Sequence, residues 1–218
     1  MKIDRYGQAK ILSQEEIALL FKEGFTVNPP RDRALFAVML YTACRVNEAV
    51  QLLVRDVYDR QRRIRPEIIF RKKNTKGKLA TRTIPVINEL RYWLNQYPLP
   101  HYQSYLFPGR KEQGRKYLHP DSAAWLLREA CKRLDIEGAS SHSFRRTALT
   151  QMSNAGIPLR IIQEISGHRK LDQLQRYLEV KPSQVVGAVN SLSMLGATSI
   201  EQENFEKQGF PEDDHIPF

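Results

Sequence analysis

Residues 32–48 read DRALFAVMLYTACRVNE, and this stretch decides the fold. From Ala34 to Tyr41 the chain is apolar almost all round a helical circumference, so the helix must be covered on most sides and belongs at the centre of a core. After Thr42, Ala43 and Cys44 comes Arg45, and then Val46, Ala49, Val50 and Leu53 recur at helical spacing. Arg45 lies off that second apolar face, at the beginning of its helix. A buried element therefore delivers a guanidinium to a fixed place.

Working outward, Ser13 with Glu16 three residues on forms a capping box, and Ile17, Leu19, Leu20 and Phe21 supply the apolar face of a first helix. Residues 1–12 then read as a leader. Pro29 and Pro30 break the chain, and Asp32 is expected to open the central helix. From 57 to 86 the pattern is β: Ile68 and Phe70 alternate with Arg71, and Thr81, Arg82, Thr83 and Ile84 answer across Asn74-Thr75-Lys76-Gly77 as a lysine-rich hairpin. Helical spacing returns with Leu90, Tyr92, Trp93 and Leu94. Asp121 or Ser122 is expected to cap a helix carrying Ala123, Leu126, Leu127, Ala130, Cys131 and Leu134. Further helices are expected over 142–154 and 159–166, closed by Gly156 and Gly167, then over 171–180 and, amphipathic, over 183–195. The fold class is mainly α with a small antiparallel β-sheet, an α+β domain over 13–195. An acidic tail, 196–218, is too poor in large apolar residues to pack and is expected to be disordered.

The formal net charge is +10 and the sequence pI about 9.7, which points to a polyanionic partner. The segment from Ala197 to Phe218 holds six acidic residues and one lysine, a formal −5, so residues 1–196 carry +15. A nucleic-acid surface is the leading explanation. Cys44 and Cys131 sit in apolar helical patterns without CxxC spacing, and read as reduced thiols rather than a disulfide framework or zinc site. No run of 18 apolar residues and no signal-peptide pattern is present, so a soluble, cytoplasmic protein is expected.

The second informative stretch is Ser141-His142-Ser143-Phe144-Arg145, followed by Gly167-His168 and Tyr177. Two imidazoles, a guanidinium and a phenol within 36 residues suit phosphate chemistry. With Thr42-Ala43-Cys44-Arg45-Val46-Asn47-Glu48, a lysine in the following hairpin, His142-Ser143-Phe144-Arg145, Gly167-His168 and Tyr177 nine residues beyond His168, the chain resembles the tyrosine recombinase (phage integrase) family from about Leu12 to Val189.

That resemblance implies the family's catalytic-domain fold and a role for each matched position. Arg45 and Arg145 correspond to the arginines that clamp the non-bridging oxygens of a scissile phosphate, where a planar, permanently charged fork is the fitting group. Tyr177 corresponds to the nucleophile that forms a 3′-phosphotyrosyl bond, His142 to the group taking its proton, and His168 to a hydrogen-bond donor to phosphate. A hairpin lysine protonates the leaving 5′-oxygen. Lys76 fits that position best by its interval before Pro85, with Lys73 and Lys78 still open. Glu48 would orient Arg45. Lys72, Lys73, Lys78, Arg110, Lys111, Arg115, Lys116 and Arg146 are expected to touch the DNA backbone.

The resemblance implies no metal, ATP or other cofactor, double-stranded DNA as partner, and a homo-oligomer, a tetramer on DNA, formed through the 183–195 helix. It places the protein with the cytoplasmic nucleoid. Phe144 stands where leucine is usual and Cys44 where leucine is common, and 12 residues precede Ser13 where this family usually carries an N-terminal helical domain that closes the clamp on DNA. The reading is thus a site-specific recombinase for integration, excision or inversion. A type IB topoisomerase or a catalytically silent DNA-binding regulator of the same fold are the competing functions.

Overall fold

The computed structural model describes residues 9–72, 81–102, 104–109, 117–175 and 182–195. Contacts divide the chain into two compact units, residues 1–179 and 180–218. The first helix, α1 (Gln14–Leu19), begins with the expected capping box: Ser13 Oγ accepts from the Glu16 N–H at 3.1 Å and Glu16 Oε2 accepts from the Ser13 N–H at 3.0 Å. A π-helical turn, Leu20–Gly24, follows it.

The central helix α2 runs Pro29–Thr42, and here the structure corrects the expected start. The two prolines do not break the chain ahead of the helix. They form its first turn, where a missing N–H costs nothing and the fixed φ is already helical. Asn28 caps it by accepting from the Arg31 N–H, while Asp32, expected as the opener, is buried and accepts from the Asn28 N–H. Leu35, Phe36, Ala37, Val38 and Met39 are fully buried, as an all-round apolar stretch requires. At roughly 1.5–3 kcal/mol for each large side chain, this helix anchors the core.

Two short helices, α3 (Val46–Val50) and α4 (Val54–Val57), lead to the hairpin arms β1 (Glu67–Phe70) and β2 (Arg82–Pro85). The arms pair antiparallel with Ile68 opposite Ile84 and Phe70 opposite Arg82. Period-2 alternation turns Ile68, Phe70 and Ile84 inward. Helix α5 (Asn88–Asn95) packs on α2. Helix α6 (Pro120–Arg133) again starts on a proline, capped by His119 instead of Asp121 or Ser122; His119 Nδ1 accepts from the Asp121 N–H at 3.3 Å.

Helix α7 (Ser143–Asn154) packs against both α2 and α8 (Leu159–Ser166), and α9 (Leu171–Gln175) packs on α8. Phe144 is the joint: its ring stacks on Phe36 at 5.2 Å and meets Phe21 edge-on at 6.3 Å. Phenylalanine in place of the usual leucine therefore joins α7 to the aromatic core. The segment read as a leader is described from Ala9. Its Leu12 is buried, the Lys10 N–H donates to the Gly138 carbonyl, and the Leu12 N–H donates to Thr147 Oγ1.

Within the second unit, α10 (Pro182–Asn190) continues into a 3₁₀ turn, Ser191–Leu195, and Val185, Val186, Val189 and Leu192 are exposed. Among the described residues no helix is long and apolar enough to cross a membrane.

Candidate active site

The site is built at the junction between α2 and α3. Ala43 ends α2 in the left-handed region, at φ 50° and ψ 25°. An alanine there costs roughly 1–2 kcal/mol, and the strained turn has two effects. It aims the Ala43 carbonyl at Arg145, and it sets Arg45 in extended backbone at the N-cap of α3. The sequence reading placed Arg45 at a helix start, and the structure puts it there.

Arg45 is held by Glu48, three residues on. The carboxylate accepts from the Arg45 backbone N–H at 2.9 Å, capping α3, and from its Nη1 at 3.3 Å. Glu48 is 1% exposed. Burial alone would push its carboxyl up, but the hydrogen bonds and charge of Arg82, then the Arg45 N–H and charge, hold it below the usual carboxylate range.

Arg145 rises from the first turn of α7 and is 3% exposed. Its Nη1 donates to the Ala43 carbonyl at 2.6 Å and its Nη2 to the Ser166 carbonyl at 2.8 Å, so one planar group ties the α2–α3 junction to the end of α8. Burial, then the nearby Arg45 charge, brings it down to about 10, and it stays charged at neutral pH.

Gly167, at φ 64°, ends α8 and turns the chain so that His168 faces Arg145. Its ring nitrogens lie 3.3 and 3.1 Å from Arg145 Nη2, and Ser166 Oγ lies 2.8 Å from Nδ1. Gln163 Nε2 donates to the His168 carbonyl at 3.0 Å. Burial, then the charges of Arg145 and Arg45, lower the imidazole to about 3. The ring is neutral at pH 7, so one of its nitrogens carries an N–H and the other can accept.

Arg82 is the residue sequence reasoning missed. From β2 its Nη1 and Nη2 donate to the two oxygens of Glu48 at 3.2 and 2.9 Å, and its guanidinium covers the Phe70 ring at 4.7 Å. A signal existed. Arg82 has the same strand parity as Ile84, so it faces inward, and an inward arginine requires a buried anion. Three guanidiniums, Arg45, Arg82 and Arg145, against one carboxylate leave a formal +2 at the junction. Such a cluster can hold a phosphate anion with preorganised donors and stabilise added negative charge on it.

Of the remaining predicted positions, three are described: His142, Lys72 and Arg146. His142 is exposed at the N-cap of α7, three residues before Arg145. Lys72 is exposed beside β1, its backbone N–H donating to Thr81 Oγ1. Arg146, expected on the DNA backbone, is buried and donates through Nη1 to the Ala9 carbonyl at 2.7 Å, so its fork serves the leading segment. Tyr177, Lys73, Lys76, Lys78, Arg110, Lys111, Arg115 and Lys116 lie outside the described residues.

The geometry defines a mainly helical domain with a buried arginine–carboxylate–histidine cluster, and comparison with known proteins places it. The profile of the Phage integrase family matches residues 10–184, and the chain belongs to that family. It is 27% identical over 188 residues to tyrosine recombinase XerA of Pyrococcus furiosus, covering 85% of this chain and 63% of that protein. It is 24% identical over 182 residues to a tyrosine recombinase of Thermosipho africanus, covering 83% and 61%. The chain thus spans about three fifths of the length of these relatives. The fold matches the crystal structure of XerA recombinase with a TM-score of 0.65 at 22% identity, over 85% of this chain and 65% of that one. It also matches the catalytic domain of bacteriophage HP1 integrase with a TM-score of 0.60 at 23% identity, over 87% and 98%.

Proposed function

We propose that this protein is a site-specific DNA recombinase that breaks and rejoins strands through a 3′-phosphotyrosyl intermediate. The observation that carries this reading is the convergence of Arg45, Arg145 and neutral His168 on one junction, with a formal surplus of positive charge. Membership of the Phage integrase family and the recombinase names of its relatives support it.

The mechanism follows from the groups. Arg45 and Arg145 grip the non-bridging oxygens, and His168 donates its N–H to one of them. As negative charge develops on those oxygens, preorganised donors stabilise the transition state more than freely reorienting water would. The Tyr177 oxygen attacks phosphorus while its proton passes to His142. The bond to the 5′-oxygen breaks, and that oxygen takes a proton from the hairpin lysine, Lys76 in the best match. The 5′-hydroxyl of another strand then reverses these steps, with Tyr177 leaving. The phosphodiester energy stays in the tyrosyl bond, so no nucleotide is consumed.

Double-stranded DNA is the partner, and the action takes place at the nucleoid. The exposed Val185, Val186 and Val189 of α10, with Leu192 of the turn that follows, dock on a second copy bound to the same DNA. The test is to sequence the DNA flanking the gene for inverted repeats and to offer each repeat as a duplex nicked so that the fragment bearing the freed 5′-hydroxyl diffuses away. Wild type should accumulate a covalent complex and Tyr177→Phe none. Equal trapping by both would remove Tyr177 as nucleophile. Supercoil relaxation without exchange products would instead favour the topoisomerase reading.

A further inference from the structure

We infer that Arg82 is a positioning residue whose occupation of Glu48 leaves the Arg45 guanidinium available to phosphate. This inference rests on the phosphate-clamp reading of the site and adds a residue and a competition to it.

Two arginines share one buried carboxylate, and they share it unequally. Arg82 takes both oxygens as a two-pronged pair at 3.2 and 2.9 Å. Arg45 contacts the same group through a single Nη1 at 3.3 Å. Among the described residues, that is the sole side-chain partner of the Arg45 fork. A carboxylate freed from Arg82 would hold its full charge against Arg45, the nearest remaining cation. Arg45 would then close on Glu48 in a two-pronged pair, and the edge it should present to phosphate would be spent on the protein itself.

The surroundings fit a group placed to hold that carboxylate. Arg82 is 12% exposed on its side chain, half as much as Arg45 at 22%, so it is the less available of the two to a ligand. Its plane lies over Phe70, directly opposite in the hairpin, which fixes where the fork points. On the other side it packs against the turn before His168: a Cβ built on Gly167 would lie 3.0 Å from Arg82 Nη1. One side chain from β2 thus touches the Glu48 that governs Arg45 and the turn that presents His168. The hairpin carrying the lysines is thereby joined to the arginine clamp.

The experiment compares wild type, Arg82→Met, Glu48→Gln and the double variant for binding of inorganic phosphate by calorimetry, and for covalent trapping on the nicked duplex. Methionine keeps the packing on Phe70. Glutamine at 48 keeps an oxygen for the Arg45 N–H and removes the competing charge. Arg82→Met should weaken phosphate binding and slow trapping by about tenfold or more, and adding Glu48→Gln should restore most of both. Recovery on removal of a second group is not the behaviour of a merely structural arginine. Arg82→Met equal to wild type, or a double variant as weak as Arg82→Met, overturns the inference. Should Arg82→Met not fold, Arg82→Gln carries the same comparison. The phosphate measurement stands even where wild type traps no DNA, so failure of the strand-transfer reading and failure of this inference give different results.

Discussion

Replacing Arg145 by lysine keeps the charge and removes the fork, and the structure sets the size of the consequence. Arg145 spans two carbonyls on separate elements, Ala43 at 2.6 Å and Ser166 at 2.8 Å. A lysine has a single nitrogen and cannot reach both along the same directions, so one buried carbonyl loses its donor. That costs about 1–3 kcal/mol. For a domain of this size each kcal/mol lowers Tm by roughly 2–4 °C, so Arg145→Lys should melt about 2–12 °C below wild type by circular dichroism. On the proposed mechanism the loss of the guanidinium contact to phosphate is a separate effect, worth about 10²–10³ in the rate of covalent complex formation. The two should appear together. An Arg145→Lys protein that melts with wild type and cleaves within a factor of about three would refute both the bridging and the clamping roles.

Other outcomes follow from neighbouring features. The His168 imidazole titrates near 3 when folded and near 6.5 when unfolded, so the unfolded chain binds more protons between those values. Its contribution is complete above pH 6.5 and fades as pH falls toward 3. Between pH 7 and 5 wild type should lose about 2 kcal/mol more than His168→Gln in urea unfolding, and parallel curves would contradict the buried neutral ring. Asp56 is fully buried, caps α4 by accepting from the Leu53 N–H at 3.0 Å and accepts from Arg71 Nε at 2.6 Å. Asp56→Ala should cost about 1–3 kcal/mol by denaturant melting, and a change under 0.5 kcal/mol would remove it as a structural cap. Deleting residues 197–218 removes a formal −5 and should tighten DNA binding at low salt, with the difference shrinking as salt rises. Equal affinities at low salt would dismiss the tail as an electrostatic competitor.

Much of this molecule was legible because its motifs sit on strongly periodic elements. An all-round apolar run of this length fits a buried helix, and α2 is one; the alternation around Ile68 and Ile84 fits a half-buried hairpin, and β1 and β2 are its arms. Helix starts were harder. Pro29 and Pro120 were read as breakers or passed over because a proline ends one helix as readily as it opens the next, and only the cap geometry at Asn28 and His119 distinguishes the two. Glu48 was found from its spacing to Arg45, whereas Arg82 was lost in a run of hairpin cations whose partners are remote in sequence. The left-handed Ala43 was invisible for another reason. Alanine advertises no turn, and the strain is sustained by Arg145, more than a hundred residues away.

The central claim is that Tyr177 becomes joined to DNA through a 3′-phosphate. Mass spectrometry of peptides from the trapped complex, after nuclease trimming, reads that bond directly. The account predicts a nucleotide linked through its 3′-phosphate to the peptide bearing Tyr177. A nucleotide on any other residue, or one linked through a 5′-phosphate, would contradict it.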